Sequence, residues 1–158
     1  APTAANSQGM YYLVIQDRDL IKKITDCVAD WMQEQIDNKS PQKRYFIKVL
    51  HVYRERGIDI IGRNARQLIF VLARRLNVTG PSNSEQSLAY AELYAPTLGL
   101  GTTIMGFIET CLRADYAPLQ ELLQIPTKQV GVGCLLVGYP RYRYHKLVDR
   151  QHLKVEFR

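Results

Sequence analysis

The residues of this chain that could do chemistry fall into two stretches rather than into a catalytic constellation. Residues 98–107 read Leu-Gly-Leu-Gly-Thr-Thr-Ile-Met-Gly-Phe, with Gly99, Gly101 and Gly106 set around small hydroxyl residues. Glycine supplies backbone angles that other residues avoid and lets a backbone approach another group closely. Such a turn either stops a helix or presents main-chain N–H groups to a flat or anionic ligand. Residues 139–146, Tyr-Pro-Arg-Tyr-Arg-Tyr-His-Lys, alternate aromatic with basic side chains. That pattern suits stacking on RNA bases. It equally suits a clamp of Arg143, Lys146 and Arg150 on one phosphate, or an arm whose charges are simply solvated.

Other chemistries are not legible. Serine, histidine and aspartate occur, but nothing groups them as nucleophile and base. His51, His145 and His152 do not stand at zinc spacing from Cys27, Cys111 and Cys134, and there is no Cys-x-x-Cys, so no metal site is expected. Gly99-Leu100-Gly101 follows a helical pattern, which is the wrong context for a dinucleotide fingerprint. Chemistry carried by a bound cofactor would ask only for shape, main-chain donors and a few cations.

The chain has 158 residues, 46% hydrophobic and 23% charged, which suits one globular domain over residues 1–158. No apolar run reaches membrane-spanning length, and the polar residues 1–8 do not read as a secretory leader. The chain opens without an initiator Met, as a processed chain or fragment would. Three cysteines among apolar neighbours suit buried free thiols in a reducing cytoplasm. The formal charge of +6 favours an anionic partner without naming one.

The elements that must carry these stretches follow in order. Residues 10–15 are aromatic and β-branched, as in a buried strand. Asp17 suits an N-cap, and Leu20, Ile24, Cys27, Val28 and Trp31 continue at helical spacing to about Ile36. A second helix carries Phe46, Val49, Leu50 and Tyr53 and ends near Gly57. Residues 67–73 are a continuous apolar run, suited to a central strand covered on both faces. Asn83 or Ser84 can cap a helix with Leu88, Ala91, Tyr94, Ala95 and Leu98 inward, and Gly99 stops it. Short helices follow around Ile108, Cys111 and Leu112 and around Leu119, Leu122 and Leu123. Residues 130–137 read as a second buried strand, and residues 153–157 alternate like a half-exposed one. The class is α/β or α+β around one sheet.

Taken together the pieces resemble the FMN-dependent nitroreductases, in particular the branch often fused to an iron–sulfur ferredoxin domain. Pro2-Thr3-Ala4-Ala5-Asn6-Ser7-Gln8 before a strand is similar to the family's Pro-Ser-x-x-Asn-x-Gln loop. Arg63-Asn64-Ala65-Arg66 resembles Arg-Gly-Ala-Pro, residues 98–107 resemble the Gly-Leu-Gly turn with its Gly-Phe, and Gly138-Tyr139-Pro140 with Val155-Glu156-Phe157 resembles the ending. The family's N-terminal helix and Arg-x-Ser-x-Arg motif have no counterpart. Gly9, Asn64, Arg66 and Met105 depart from its usual residues.

The resemblance implies a central mixed sheet flanked by helices in an intertwined homodimer, with two FMN sites at the subunit interface. It implies that Pro2, Thr3 and Asn6 edge the flavin, and that Ile104, Met105 and Gly106 lie against the ring with a main-chain N–H near N5. Lys146 and Arg150 would hold the phosphate, and no side chain need be catalytic. Hydride would pass from NAD(P)H through FMN to a nitroaromatic or quinone-type acceptor, in the cytoplasm and without membrane contact. A ferredoxin domain would be a possible partner. A catalytically degenerate flavin-binding or interaction module is the alternative, and an RNA-binding module the least favoured.

Overall fold

Strand β1 (Met10–Ile15) and the helix after it form where the residue types direct. The computed structural model describes residues 1–142, 145–146 and 148–158. The Asp17 side chain accepts from the backbone N–H groups of Asp19 and Leu20, satisfying two of the donors that every helix start leaves open. In α1 (Arg18–Asp37) the buried residues Ile21, Ile24, Val28, Trp31 and Met32 recur every three or four positions. Trp31 meets Phe46 of α2 (Lys43–Leu50) edge-on, 5.5 Å between centroids. A π-turn (His51–Glu55) prolongs α2.

The sheet is built on β2 (Leu68–Arg74), the apolar run, with β1 on one side and β4 (Gln129–Gly138) on the other. A short β3 (Gly101–Ile104) pairs with the outer side of β4, giving the order β1-β2-β4-β3. Every neighbouring pair is antiparallel. The α+β class stands, and the resemblance's mixed sheet narrows to an antiparallel one among the described residues. β4 runs between β2 and β3 and opposes both in direction.

Two layers cover the sheet. α3 (Gly80–Tyr94) lies over Val71, Ala73, Val132, Leu135 and Val137, to which it adds Leu88. The larger core on the other face joins Phe70, Leu72 and Cys134 to α1, α2, α4 (Gly106–Arg113) and α5 (Ala117–Leu122). Helices approach β4 closely because it carries glycines. A Cβ on Gly131 would stand 2.6 Å from Leu112 Cδ2, and one on Gly133 would stand 2.5 Å from Leu88 Cδ1.

Six sequence expectations change. Residues 10–15, expected as a buried strand, form the edge strand β1, on which Tyr11, Tyr12 and Val14 are exposed because β2 covers it on one side only. Cys27, expected to be buried like the other thiols, is only partly covered at the rim of the core, whereas Cys111 and Cys134 are buried. Residues 101–104 are a strand rather than part of a turn, although Gly99, in the left-handed region at φ 71°, does end the helical stretch before it. α3 begins at Gly80, not at Asn83 or Ser84; both of those are buried within it, and Asn83 accepts instead from the backbone N–H of Ala4. Tyr94 and Leu98, expected inward, are exposed, since the sheet face ends before them. Residues 153–157 form no strand and lie exposed, with no neighbouring strand there to pair with. No helix among the described residues is long and apolar enough to cross a membrane.

Candidate functional site

The candidate site forms where β3 hands over to α4. The backbone N–H of Met105 donates to the carbonyl of Cys134 at 2.9 Å, so the ladder extends one residue beyond Ile104. The chain then bends, and the Met105 side chain turns into the core, only 2% exposed. α4 starts at Gly106 with no side-chain cap. Its first-turn amides therefore remain for a ligand, at the positive end of the helix dipole.

A cleft of about 530 Å³ lies against this junction, lined by Gln42, Tyr45, Arg63, Ile104, Gly106 and Phe107 among others. A Cβ on Gly106 would meet nothing within 4 Å, so that face of the backbone is open. The Tyr45 and Phe107 rings lie 5.8 Å apart at 36°, an aromatic shelf beside the open amides. Arg63 is the one charged residue in the lining.

Arg63 is held by a turn that Asp59 organises. The Asp59 carboxylate accepts from the backbone N–H of Gly62 at 2.7 Å and of Asn64 at 2.9 Å, and Ala65 N–H closes onto the Gly62 carbonyl at 3.0 Å. Arg63 and Asn64 both take left-handed angles, φ 54° and 51°. That conformation costs a non-glycine residue about 1–2 kcal/mol, and the two Asp59 bonds sustain it.

Of the residues that the resemblance pointed to, the structure brings together Ile104, Met105 and Gly106. Met105 contributes through its backbone bend, not through its amide, which is already bonded. Pro2, Thr3 and Asn6 stand elsewhere. Thr3 Oγ1 accepts from Gln8 N–H at 3.2 Å, and Asn6 Oδ1 accepts from Gln8 Nε2 at 3.1 Å. This loop leans on α3 through Asn83, on the face of the sheet away from Met105. Met10, which follows it, pairs with Ala73, whereas Ile104 pairs with Leu135, level with Ile69 and Val14. Four strand residues and three strand spacings put Met10 about 20 Å from Ile104. Lys146 and Arg150 are exposed in the tail beyond β4, and Arg143 lies outside the described residues.

The sequence reading missed Arg63, Gln42 and Tyr45 as cleft residues. Two local signals pointed at Arg63: the likeness of Arg63-Asn64-Ala65-Arg66 to Arg-Gly-Ala-Pro, and Asp59 three residues before Gly62, an aspartate turn that could present the next side chain. The thiols offer no nucleophile. Burial pushes Cys134 and Cys111 far above the ordinary thiol range, and burial with nearby Asp30 and Glu34 raises Cys27.

Comparison with known proteins gives the same architecture. A family model described as the Nitroreductase family matches residues 1–139. A search of curated proteins finds no match to the sequence. Among solved structures, a nitroreductase with bound FMN from Desulfitobacterium hafniense DCB-2 is similar at TM-score 0.69 and 15% identity, covering 99% of this chain and 80% of that one. A nitroreductase with bound FMN from Bacteroides fragilis NCTC 9343 is similar at TM-score 0.66 and 16% identity, covering 98% and 76%. Oxidized iodotyrosine deiodinase bound to FMN and 3-iodo-L-tyrosine is similar at 0.64 and 18%, covering 97% and 81%.

Proposed function

The chain belongs to the nitroreductase family, and from that premise we propose that it is a flavin oxidoreductase that binds FMN at the β3–α4 cleft. The observation that carries the reading is the uncapped start of α4 at Gly106, open on its Cβ side and facing the cleft. Bound FMN would supply the acceptance and release of hydride, taken from NAD(P)H and given to a nitroaromatic or quinone-type acceptor.

The residues present suit the ring end of that cofactor. Gly106 offers a main-chain donor to a ring nitrogen, Ile104 lies half exposed against the cleft, and the Tyr45–Phe107 shelf limits water on one side. Arg63 supplies a positive charge toward electron-rich oxygens. No side chain has to act as nucleophile or proton donor.

The phosphate end and the second edge of the ring need residues that one copy does not bring to the cleft. Pro2, Thr3 and Asn6 on one side and Lys146 and Arg150 on the other could reach it from a second copy. Tyr90, Leu93, Tyr94 and Leu98 of α3 and the turn after it are all exposed, an apolar face that a second copy would cover. We therefore infer a homodimer with composite sites, one domain per chain, and a cytoplasmic setting in keeping with the free cysteines.

The test is reconstitution. Protein mixed with FMN and freed of excess should stay yellow, release FMN on denaturation, and oxidise NADH or NADPH when a small quinone is added. Colourless protein after FMN addition overturns the reading. Flavin retained without turnover would favour a binding module of the same family.

A further inference from the structure

A second cavity, of about 270 Å³, opens between α1 and the loop 59–66, and it shares no lining residue with the cleft. Arg18, Lys22, Thr25, Asp59, Asn64 and Arg66 surround it, with Ile21 and Ala65 at its base. Three cations and one carboxylate line it, so positive charge is in excess, and the Asp59 oxygens are turned to the N–H groups of Gly62 and Asn64. Lys22 is partly neutralised by Asp26, at 2.5 Å. Arg18 and Arg66 form no ion pair or side-chain hydrogen bond among the described residues. Elsewhere Arg54, Arg75 and Arg113 each hold a carboxylate within 2.9 Å.

The two walls are seated directly on each other. Gly62 lies so near α1 that a Cβ there would fall 2.4 Å from Thr25 Oγ1. Thr25 is itself buried and bonded to the Ile21 carbonyl at 3.0 Å. Ala65 is buried, and β2 begins at Leu68, so Arg66 leaves a short anchored segment. Arg18 occupies the first position of a capped helix. Two guanidinium groups held around one small cavity repel each other until an anion enters between them.

We propose that this cavity is a binding site for a phosphate or diphosphate group, gripped by Arg18 and Arg66 with Lys22 adding charge. Guanidinium groups match phosphate oxygens two at a time, and Asn64 can supply a neutral donor. A cavity of this size holds one or two phosphate groups and excludes a whole dinucleotide, whose remainder would lie outside. The diphosphate could be free or part of a reduced pyridine nucleotide. The inference does not rest on the flavin reading, because neither Arg18 nor Arg66 touches the cleft.

The experiment is calorimetric titration of the full chain with inorganic pyrophosphate near physiological salt, in wild type, R63Q and the double variant R18Q/R66Q. Saturable binding by wild type and R63Q is expected. The double variant should bind about a hundredfold more weakly, roughly tenfold for each lost charge-assisted pair. Both side chains are exposed, so the double variant should melt with wild type, and circular dichroism checks that it does. No saturable binding to wild type overturns the proposal, as does unchanged binding by R18Q/R66Q. Loss in R63Q alone also overturns it, by assigning the anion to the cleft. Displacement of bound pyrophosphate by NADPH supports the site with the nucleotide as its source; binding that NADPH leaves intact supports it with a separate phosphorylated ligand.

Discussion

Met105 donates its backbone N–H to the carbonyl of Cys134 at 2.9 Å, and this one bond decides which amide the cleft receives. It carries the β3–β4 ladder past the last strand residue, so the next free donor is Gly106 at the first position of α4.

Gly106→Pro isolates that donor. Proline is favoured at the first helical position, where its missing N–H breaks no intrahelical bond. The variant should melt with wild type while FMN binds about three- to tenfold more weakly, the worth of one hydrogen bond. Gly106→Ala keeps the amide and serves as control. Fluorescence quenching of FMN reads both, and equal affinity in the proline variant would remove the amide from the site.

At Arg63 charge and backbone can be separated. Arg63→Gly relieves the left-handed angle and deletes the guanidinium. Its stability should equal or exceed wild type by up to about 1 kcal/mol, in thermal or urea unfolding, while flavin affinity falls. A variant that loses stability and keeps affinity would show that Arg63 serves the fold.

The contact of Gly62 with Thr25 is tested by a double-mutant cycle. Gly62→Ala puts a Cβ 2.4 Å from Thr25 Oγ1 and 3.0 Å from Asp59 Oδ2, and should cost about 1–3 kcal/mol by overpacking. Thr25→Ala removes the obstructing oxygen, so the double variant should recover part of that loss. Additive losses in urea unfolding would mean that the two residues are not coupled.

Alkaline stability should depend on Tyr53. Burial first, and then the hydrogen bond that it donates to Asp26 at 2.6 Å, push its hydroxyl from 10.0 up to about 12. The folded chain therefore keeps a proton that the unfolded chain gives up. This contribution is intact below pH 10 and is lost as pH rises through about 12. Tyr53→Phe should show a flatter melting profile across that window, by a small margin because the group is partly solvated. Parallel profiles would remove Tyr53 as the source.

The thiols should react in an order set by burial. Cys27 is half exposed, while Cys111 and Cys134 are buried. Brief iodoacetamide treatment followed by mass spectrometry should label Cys27 alone, slowly because its thiol is raised, and the other two only after unfolding. Early labelling of Cys134 would place β4 at an opening edge.

Much of the frame was legible because local chemistry and tertiary need agree there. Asp17 caps α1, the apolar spacing from Ile21 to Met32 is its buried face, and the run at 68–74 is the central strand. β3 was not legible: Gly-Thr-Thr-Ile has no alternation, and it is a strand only because β4 offers it a partner. Asn83 and Ser84 look like caps by residue type, but the sheet buries them and the helix begins earlier. In the candidate site, the glycine turn marked residues 104–106, since backbone freedom shows in glycine. Arg63 stood in a stretch that resembles Arg-Gly-Ala-Pro but was given no place in the site, because its neighbours in the cleft are distant in sequence and only the Asp59 turn aims the chain toward them.

The wall of the cleft is written in backbone, with Met105 facing the core and Gly106 giving its amide. Residue identity at Thr102 and Thr103, which do not line the cleft, can therefore drift over generations without altering what a ligand meets there. The count of residues cannot. A slip of one position between β3 and β4 would turn Met105 outward and withdraw the open amide. Natural variation in this stretch should be generous in substitutions and intolerant of insertions or deletions.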